Sequence, residues 1–200
     1  LVVKDVFVPR HRFLSYGAMN DGTAGGLQNN TAAVYRMPWG TMHPTTISSP
    51  IVGMAYGAYA AHVEHQGKRV RAAFAGEKAK DDPFGKVRIA EAASDIDAAW
   101  RQLRGNLAEE YALLCDGKQV PMELRARARR DQVRATGRAI ASIDRLFEAA
   151  GATALNNDQP LQRFWRDAHA GRVHAANDAE RAYVMYGNQE FGLPLGDTMV

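Results

Sequence analysis

Cysteine is almost missing from this sequence, with Cys115 the single one in 200 residues. One cysteine cannot form a disulfide within the chain, and the lack of a disulfide framework favours the cytoplasm over an oxidising compartment. No apolar run approaches the roughly 20 residues that cross a bilayer. The first residues, LVVKDVFVPRHRF, lack the basic and then apolar order of a signal peptide. We therefore expect a cytoplasmic protein that does not span a membrane.

Widespread catalytic motifs are also missing. The sequence contains no HExxH and no paired CxxC, and its six histidines are spread along the chain, so we expect no metal site. There is no GxSxG elbow, and no GxGxxG follows a strand, so the chain should not bind a nicotinamide cofactor. GTAGG at 22–26 is too short for a phosphate-binding loop and predicts a flexible connection.

Positive charge is concentrated in one helical stretch. The net charge is +3 and the pI is about 9.1, and the arginines at issue are Arg125, Arg127, Arg129, Arg130, Arg134 and Arg138. No aromatic residues that could stack on bases lie between them. A solvated or interface face of a helix is therefore the favoured interpretation, and nucleic-acid binding is the weaker alternative.

The first fifth of the chain differs from the rest. Residues 2–8, VVKDVFV, alternate apolar and polar before Pro9, which predicts a half-buried strand. The stretch from Tyr16 to Pro44 is rich in Gly, Asn and Thr and has no period, which predicts a long connection. We expect residues 1–44 to be the end of a β-rich domain with its connecting loop.

Helical periodicity then dominates residues 45–200. Ser49 and Pro50 predict the start of a first helix. A second helix should run from near Gly85 to Asp116, a third from Pro121 to Gly151, and a fourth from Pro160 to a break near His174. Asn177 or Asp178 should cap a short last helix that reaches about Gly187. The sequence predicts a mainly α fold, an antiparallel four-helix bundle with a short last helix and a tail.

The segment from Gln159 to Gly187 combines aromatic, ionic and imidazole groups densely. For Trp165, Arg166 and Asp167, an aromatic core with a buried Arg–Asp pair is favoured over direct chemistry. His174 differs because it lies where the fourth helix breaks, and irregular backbone at such a junction often borders a cavity.

Three stretches carry a family resemblance. FWRDAHAGRVHAANDAERAYVMYG, at 164–187, resembles the C-terminal end of flavin-dependent aromatic hydroxylases with the acyl-CoA dehydrogenase fold, the oxygenase components of two-component monooxygenases. Within them it resembles most the phenol hydroxylases of bacterial steroid-ring degradation and hydroxyphenylacetate catabolism. VVKDVFVP resembles the last strand of their middle β-domain, and VYRMPWG the loop before their bundle.

This resemblance implies an activity and its partners. It implies a homotetramer that hydroxylates a small aromatic substrate with O2 and with reduced FMN or FAD from a separate reductase. His174 would be the catalytic base that takes the phenolic proton, with His169 a weaker candidate. Arg36 and Trp39 would lie near the flavin edge and the substrate ring, where a cation stabilises a developing oxyanion and an indole excludes water.

The same resemblance implies further flavin contacts. The segment of Asn157, Gln159, Leu161 and Gln162 would reach the flavin of a neighbouring subunit. Lys80 would lie near the flavin phosphate, although KAKDDPFGK lacks the arginine that the dehydrogenases have ahead of FGK.

Two other functions remain open at this point. An acyl-CoA dehydrogenase shares the fold, but it needs a carboxylate to remove an α-proton, and that family commonly has a Glu-Gly pair where this sequence has VHAAND. The second alternative is a catalytically silent helical assembly module.

Overall fold

Helices account for most of the computed structural model, which describes residues 2–71, 75–196 and 199–200. The helices are α1 (Tyr16–Asn20), α2 (Trp39–Lys68), α3 (Pro83–Cys115), α4 (Met122–Ala150), α5 (Pro160–Arg172) and α6 (Ala179–Glu190). A hairpin of β1 (Val70–Arg71) and β2 (Glu77–Lys78) follows α2. Short 3-10 turns include Ala33–Arg36, Ala79–Asp81, Ala152–Leu155 and Ala175–Asn177.

Ion pairs fix the relative direction of α3 and α4. Arg145 Nη1 lies 3.3 Å from Asp95 Oδ2, and Arg127, earlier in α4, pairs with Glu109, later in α3. Residue numbers rise along α4 as they fall along α3, so these two helices are antiparallel.

Helix α2 lies parallel to α4 and antiparallel to α5. Thr136 Oγ1 donates to Ser48 Oγ at 2.9 Å, and Gln66 Nε2 donates to the Ala149 carbonyl at 3.0 Å, so numbers rise together in α2 and α4. In α5 the order is reversed, since Gly171 lies against Ile51 and Phe164 against Gly57. The antiparallel four-helix bundle that the sequence predicts is confirmed.

The core is built from small and branched side chains that lie between α2, α3, α4 and α5. Its buried members include Ile51, Val52, Ala55 and Ala58 of α2, Ile96, Ala99 and Leu103 of α3, Ala135, Ala139, Ile140, Ile143 and Ala150 of α4, and Leu161 and Ala168 of α5. Alanine at so many facing positions lets the helix backbones approach closely. A smaller cluster of Ala126, Met185 and Val200 joins α4 to α6 and to the last described residues.

Helices α3, α4 and α5 begin and end close to the predicted residues. Asp82 caps α3, since its Oδ1 accepts from the Phe84 N–H at 3.0 Å, and Pro83 occupies the first turn. Gly151, at φ 68°, ends α4 in a conformation that favours glycine. Asp178, one of the two predicted caps, begins α6, which ends at Glu190 rather than near Gly187.

The predicted start of the first long helix is wrong. Helix α2 begins at Trp39, ten residues before Ser49, and contains both Pro44 and Pro50. A proline removes only its own N–H donor and disturbs the carbonyl four residues earlier, so a helix that is packed on several sides can keep it at a local cost.

The predicted strand at residues 2–8 is also wrong. These residues form no strand and are exposed, with Val2 95% and Phe7 88% accessible. A strand needs a hydrogen-bonded neighbour, and within the described residues the only sheet is the pair β1–β2. That hairpin was not predicted, because two residues a side are too few to show alternation.

The arginine-rich stretch of α4, predicted to be a solvated or interface face, is not solvated at several positions. Arg125 is 7% and Arg129 2% exposed. Arg129 Nη1 donates to the Ala176 carbonyl at 2.7 Å, and the Arg130 guanidinium lies 4.4 Å over the Tyr186 ring. Arg134 is exposed. Most of these arginines contact other segments of the same chain that pack against α4.

None of the described helices is long and apolar enough to cross a lipid bilayer.

Candidate active site

His174 lies at the junction between α5 and α6. The chain leaves the helical conformation at His174, which has φ −66° and ψ 139° and begins the turn Ala175–Asn177. Its Nδ1 accepts a hydrogen bond from the Ala176 N–H at 3.1 Å, and the residue is exposed. A ring nitrogen that accepts from an N–H uses its lone pair, so the neutral ring carries its proton on Nε2. Nε2 is therefore the atom available to a ligand, and it is a donor.

Trp39 and His43 complete an aromatic group with His174. The first two residues are one helical turn apart at the start of α2, so they share a face, and their rings stack at 4.8 Å and 7°. The His43 ring meets that of His174 edge-on at 5.8 Å. Trp39 is 37% exposed, so the group offers a flat apolar surface next to an imidazole edge.

The start of α2 is anchored from three directions. The Gly40 N–H donates to Asn20 Oδ1 at 2.7 Å, and Thr41 Oγ1 donates to Glu110 Oε1 at 3.0 Å. A Cβ on Gly40 would come within 2.7 Å of the Val200 nitrogen, so residues 199–200 pack directly on this turn. Burial raises the pKa of Glu110 to about 7. The first turn of α2, which carries Trp39, is thus contacted by α1, by α3 and by residues 199–200.

Arg36 contacts the last turn of α3. Its Nη2 donates to the Leu114 carbonyl at the end of α3, where a cation complements the helix dipole. It borders a cleft of about 210 Å³ together with Asp21, Lys118 and Arg125. The structure therefore links Trp39 to His174 through His43, while Arg36 contacts the carboxyl end of α3, and its flavin and substrate roles stay a prediction.

The other predicted flavin residues lie at the opposite end of α5. Gln162 Nε2 donates to Asn157 Oδ1 at 2.8 Å, and Gln162 Oε1 is buried without a partner. Gln159 borders a cleft of about 400 Å³ that also contains Lys68 and Arg69. Leu161 is only 5% exposed and belongs to the core, so its backbone alone is left for a ligand.

Lys80, the remaining predicted flavin contact, is exposed on the turn Ala79–Asp81. Next to this turn, Arg71 Nη2 lies 2.7 Å from Asp82 Oδ2, and both border a cleft of about 740 Å³.

Trp165 and His169 form a structural group on α5. Trp165 Nε1 donates to Asp144 Oδ1 at 2.7 Å, and the His169 ring lies 4.3 Å from the indole with its Nε2 3.3 Å from the same carboxylate oxygen. The aromatic packing fits the favoured interpretation, but the buried Arg–Asp pair is wrong, because Arg166 and Asp167 are exposed. His169 has partners on its own helix and on α4, away from the junction.

Two features bear on whether the residues present fit a flavin. Trp39 offers a flat apolar face that can take a planar ring beside His43 and His174. A phosphate needs positive charge, and the cleft beside Gln159 is bordered by Lys68, which pairs with Glu64 at 2.7 Å, and by Arg69, which donates to the Ala149 and Ala150 carbonyls. Among the described residues, no group of three or more His, Cys, Asp or Glu side chains could hold a metal ion.

Sequence reasoning missed His43 and the polar side chains that hold the junction. His43 has a usable signal, since it follows Trp39 by four residues, but that spacing counts only once the helix is known to begin at Trp39. The buried partners of the junction, described below, come from α2 and α4 and share no sequence pattern.

Comparisons with known proteins agree with the resemblance. The chain is 86% identical to the flavin-dependent monooxygenase oxygenase subunit HsaA of Mycobacterium tuberculosis, over all of this chain and 51% of that protein. It is 34% identical to the oxygenase component of the FADH2-dependent resorcinol hydroxylase of a Rhizobium species, over 96% of this chain and 49% of that protein. The crystal structure of 3-HSA hydroxylase from Rhodococcus sp. RHA1 superposes with a TM-score of 0.92 at 80% identity, covering all of this chain and 51% of that one.

The length over which the chain matches its relatives limits the conclusion to the family. The chain spans about half the length of the relatives that it matches. A family model described as the acyl-CoA dehydrogenase C-terminal domain matches residues 45–179, which is more than half of the chain. The chain therefore belongs to the family of acyl-CoA dehydrogenase C-terminal domains.

Proposed function

We propose that this chain is the C-terminal part of the oxygenase component of a two-component flavin-dependent monooxygenase that hydroxylates a phenolic substrate. The observation that carries the proposal is the exposed Nε2 of His174 beside the stacked rings of Trp39 and His43. This arrangement occurs in a chain similar over its whole length to a flavin-dependent monooxygenase subunit. We further propose that the residues before α2 end a β-domain and that the protein works in the cytoplasm. The bundle domain would begin with α2 at Trp39 rather than at residue 45, because the expected boundary after residue 44 lies inside this continuous helix.

Bound reduced flavin, FMN or FAD, would supply the electrons that activate O2. The residues of this chain would then act on the phenol. Trp39, supported by the stacked ring of His43, would hold the phenol ring against its flat face and keep water away from it. His174 Nε2 would meet the phenolic oxygen.

The proton position on His174 refines the role predicted from the sequence. A base must offer a lone pair, but the neutral ring capped at Nδ1 carries a proton on Nε2. We propose that the substrate binds as the phenolate, its proton having passed to solvent, and that His174 Nε2 donates a hydrogen bond to the phenolate oxygen and stabilises its negative charge. Nε2 could accept a proton only in the other tautomer, in which Nδ1 carries the proton and loses its hydrogen bond from the Ala176 N–H.

We also propose a homotetramer, and the separation between residues 157–162 and His174, the two regions expected to contact flavin, supports contact between subunits. Gln159 and His174 lie beyond opposite ends of the 13-residue helix α5, which at 1.5 Å per residue is roughly 20 Å long. One isoalloxazine ring is too small to contact both within a chain. We propose that residues 157–162 contact the flavin of a neighbouring subunit. A stable monomer in light scattering at micromolar concentration would contradict this assembly.

The decisive experiment uses a protein of the relatives' full length that carries this chain. Supplied with chemically reduced flavin, O2 and a simple phenol, it should form the hydroxylated product without a second protein. Supplied with NADH and oxidised flavin, it should form product only when a flavin reductase is added. Steady oxidation of NADH without a reductase would refute the two-component assignment. Loss of reduced flavin without hydroxylation of any phenol tested would favour the assembly module.

A further inference from the structure

Asn177 closes the turn that presents His174. It is 9% exposed, its backbone N–H donates to the His174 carbonyl at 2.8 Å, and its Nδ2 donates to the Gly171 carbonyl at 2.9 Å. Gly171 is in the last turn of α5, where carbonyls lose their helical partners. One side chain therefore ties the end of α5 to the far side of the His174 turn.

The amide oxygen of Asn177 is held by two neighbouring helices. Ser48 Oγ of α2 donates to Oδ1 at 3.1 Å, and Gln132 Nε2 of α4 donates to it at 2.9 Å. Both donors are buried, at 0% and 1% exposed. Arg129 adds a hydrogen bond to the Ala176 carbonyl at 2.7 Å. The turn is thus bonded to α2, α4 and α5 at once.

These contacts determine where the Ala176 N–H points. The peptide group between Ala175 and Ala176 lies between His174 and Asn177, and the Ala176 carbonyl and the Asn177 side chain are both fixed. The Ala176 N–H consequently stays directed at His174 Nδ1. A free loop of this kind would let the imidazole rotate and exchange its two tautomers.

We propose that Asn177 is a positioning residue for His174, which fixes the turn so that Nδ1 stays capped and the proton stays on the outward Nε2. This inference rests on the proposed function only for its effect on hydroxylation. Its effect on the His174 ring does not depend on any activity. A purely architectural role, in which Asn177 simply joins α5 to α6, would predict lower stability without a specific effect on that ring.

The first test measures the ring itself by ¹⁵N NMR of the His174 imidazole, in the same full-length protein without flavin or substrate. The parent protein should show a single neutral form protonated on Nε2. Asn177→Ala, which removes all the side-chain contacts, should give a mixture of both neutral tautomers. The control is Asn106→Ala, since Asn106 is a buried asparagine too, 7% exposed, but is bonded to Asp131 at 3.0 Å. That variant should keep the parent spectrum.

The second test is a double-mutant cycle on single-turnover hydroxylation with reduced flavin. Asn177→Ala should slow hydroxylation at least 10-fold and divert reducing power to hydrogen peroxide. The double variant His174→Ala/Asn177→Ala should be no slower than His174→Ala, because a residue that acts through His174 has nothing left to position. Asn106→Ala should hydroxylate at the parent rate.

The outcomes separate the positioning role from the proposed function. A parent-like ring spectrum in Asn177→Ala, or additive losses in the cycle, would overturn the positioning role. If His174→Ala hydroxylated at the parent rate, the proposed function of His174 would fail, and the ring spectra alone would decide the inference. Should Asn177→Ala not fold, Asn177→Ser serves in its place, because a serine hydroxyl is too short to reach the Gly171 carbonyl, and the same spectra decide.

Discussion

The imidazole of His43 meets that of His174 edge-on, with ring centroids 5.8 Å apart, although the two residues are on different helices. His43 also stacks on Trp39, so it connects the indole to the proposed catalytic ring. Its role would be support, whereas that of His174 would be direct contact with substrate.

Replacement of these two histidines should therefore have unequal effects. His174→Ala should slow hydroxylation by about 10²-fold or more, the usual loss when an oxyanion donor or a general base is removed. His43→Ala should slow it only about 2- to 10-fold, since an aromatic contact contributes about 0.5–1.5 kcal/mol. Single-turnover rates measure both. His174→Gln separates the role of hydrogen-bond donor from that of general base. The glutamine amide can donate a hydrogen bond but cannot act as a base, so this variant should keep more activity than His174→Ala.

Gly40 gives a test of how the start of α2 is anchored. Gly40→Ala would place a Cβ 2.7 Å from the Val200 nitrogen, which should push residues 199–200 away and expose Val200. We expect a loss of about 1–3 kcal/mol in the free energy of unfolding. Urea denaturation measures it. Gly53→Ala is the control, since nothing lies within 4 Å of a Cβ there, and it should stabilise α2 by up to about 1 kcal/mol. Equal effects of the two would contradict the close packing.

Glu110 should make the fold less stable as the pH rises. Burial raises its pKa from 4.5 to about 7. Below about pH 4.5 both states hold the proton, and between 4.5 and 7 only the unfolded state releases it, so stability falls over that range. At about 1.4 kcal/mol per pKa unit the full effect is about 3 kcal/mol.

Glu110→Gln should remove this pH dependence, because the amide oxygen can still accept from Thr41 while no charge is buried. The free energy of unfolding, measured in urea at about pH 5 and about pH 8, should differ less in the variant than in the parent. Glu190→Gln, which changes an exposed carboxylate at the end of α6, should leave the parent slope. An unchanged slope in Glu110→Gln would show that Glu110 is not the group responsible.

His62 should act with the opposite sign. It is fully buried, and burial, with a smaller effect of His65, lowers its pKa from 6.5 to about 4. Between pH 6.5 and 4 His62 becomes protonated in the unfolded state but stays neutral in the folded state. The free energy of unfolding therefore falls as the pH falls. His62→Leu should lose about 3 kcal/mol less than the parent on acidification from about pH 7 to about pH 4. His11→Leu, at an exposed position, should behave like the parent.

Helices α3 and α4 could be predicted from the sequence because their apolar periodicity and their start and stop residues agree with the way they pack. In α3 and α4 the buried stripe repeats without interruption, and an aspartate–proline start and a glycine stop mark the ends. Proline misled the interpretation of α2. Ser49 and Pro50 have the residue types of a helix start, but the interior position of Pro50 is decided by tertiary packing that a local pattern does not contain.

The candidate site was predictable only in part. His174 stands out because the helix pattern breaks there, and Trp39 through the family resemblance. Asn177 was expected to be a helix cap, whereas its side chain bonds Gly171, Ser48 and Gln132. Those partners are distributed over three helices, and contacts between distant segments leave no periodic trace in a sequence.

The two prolines inside α2 also divide this helix into parts of different local stability. Pro44 and Pro50 each lack an N–H, so the carbonyls of Gly40 and Thr46 cannot receive the usual helical hydrogen bond. The turns that carry Trp39 and His43 are therefore joined to the rest of α2 by fewer backbone hydrogen bonds than the turns after Ile51, which pack in the core. We expect backbone amides at 41–49 to exchange with deuterium well before those at 52–62. Opening of this first segment alone would admit a flat ring to Trp39 while the bundle stays closed.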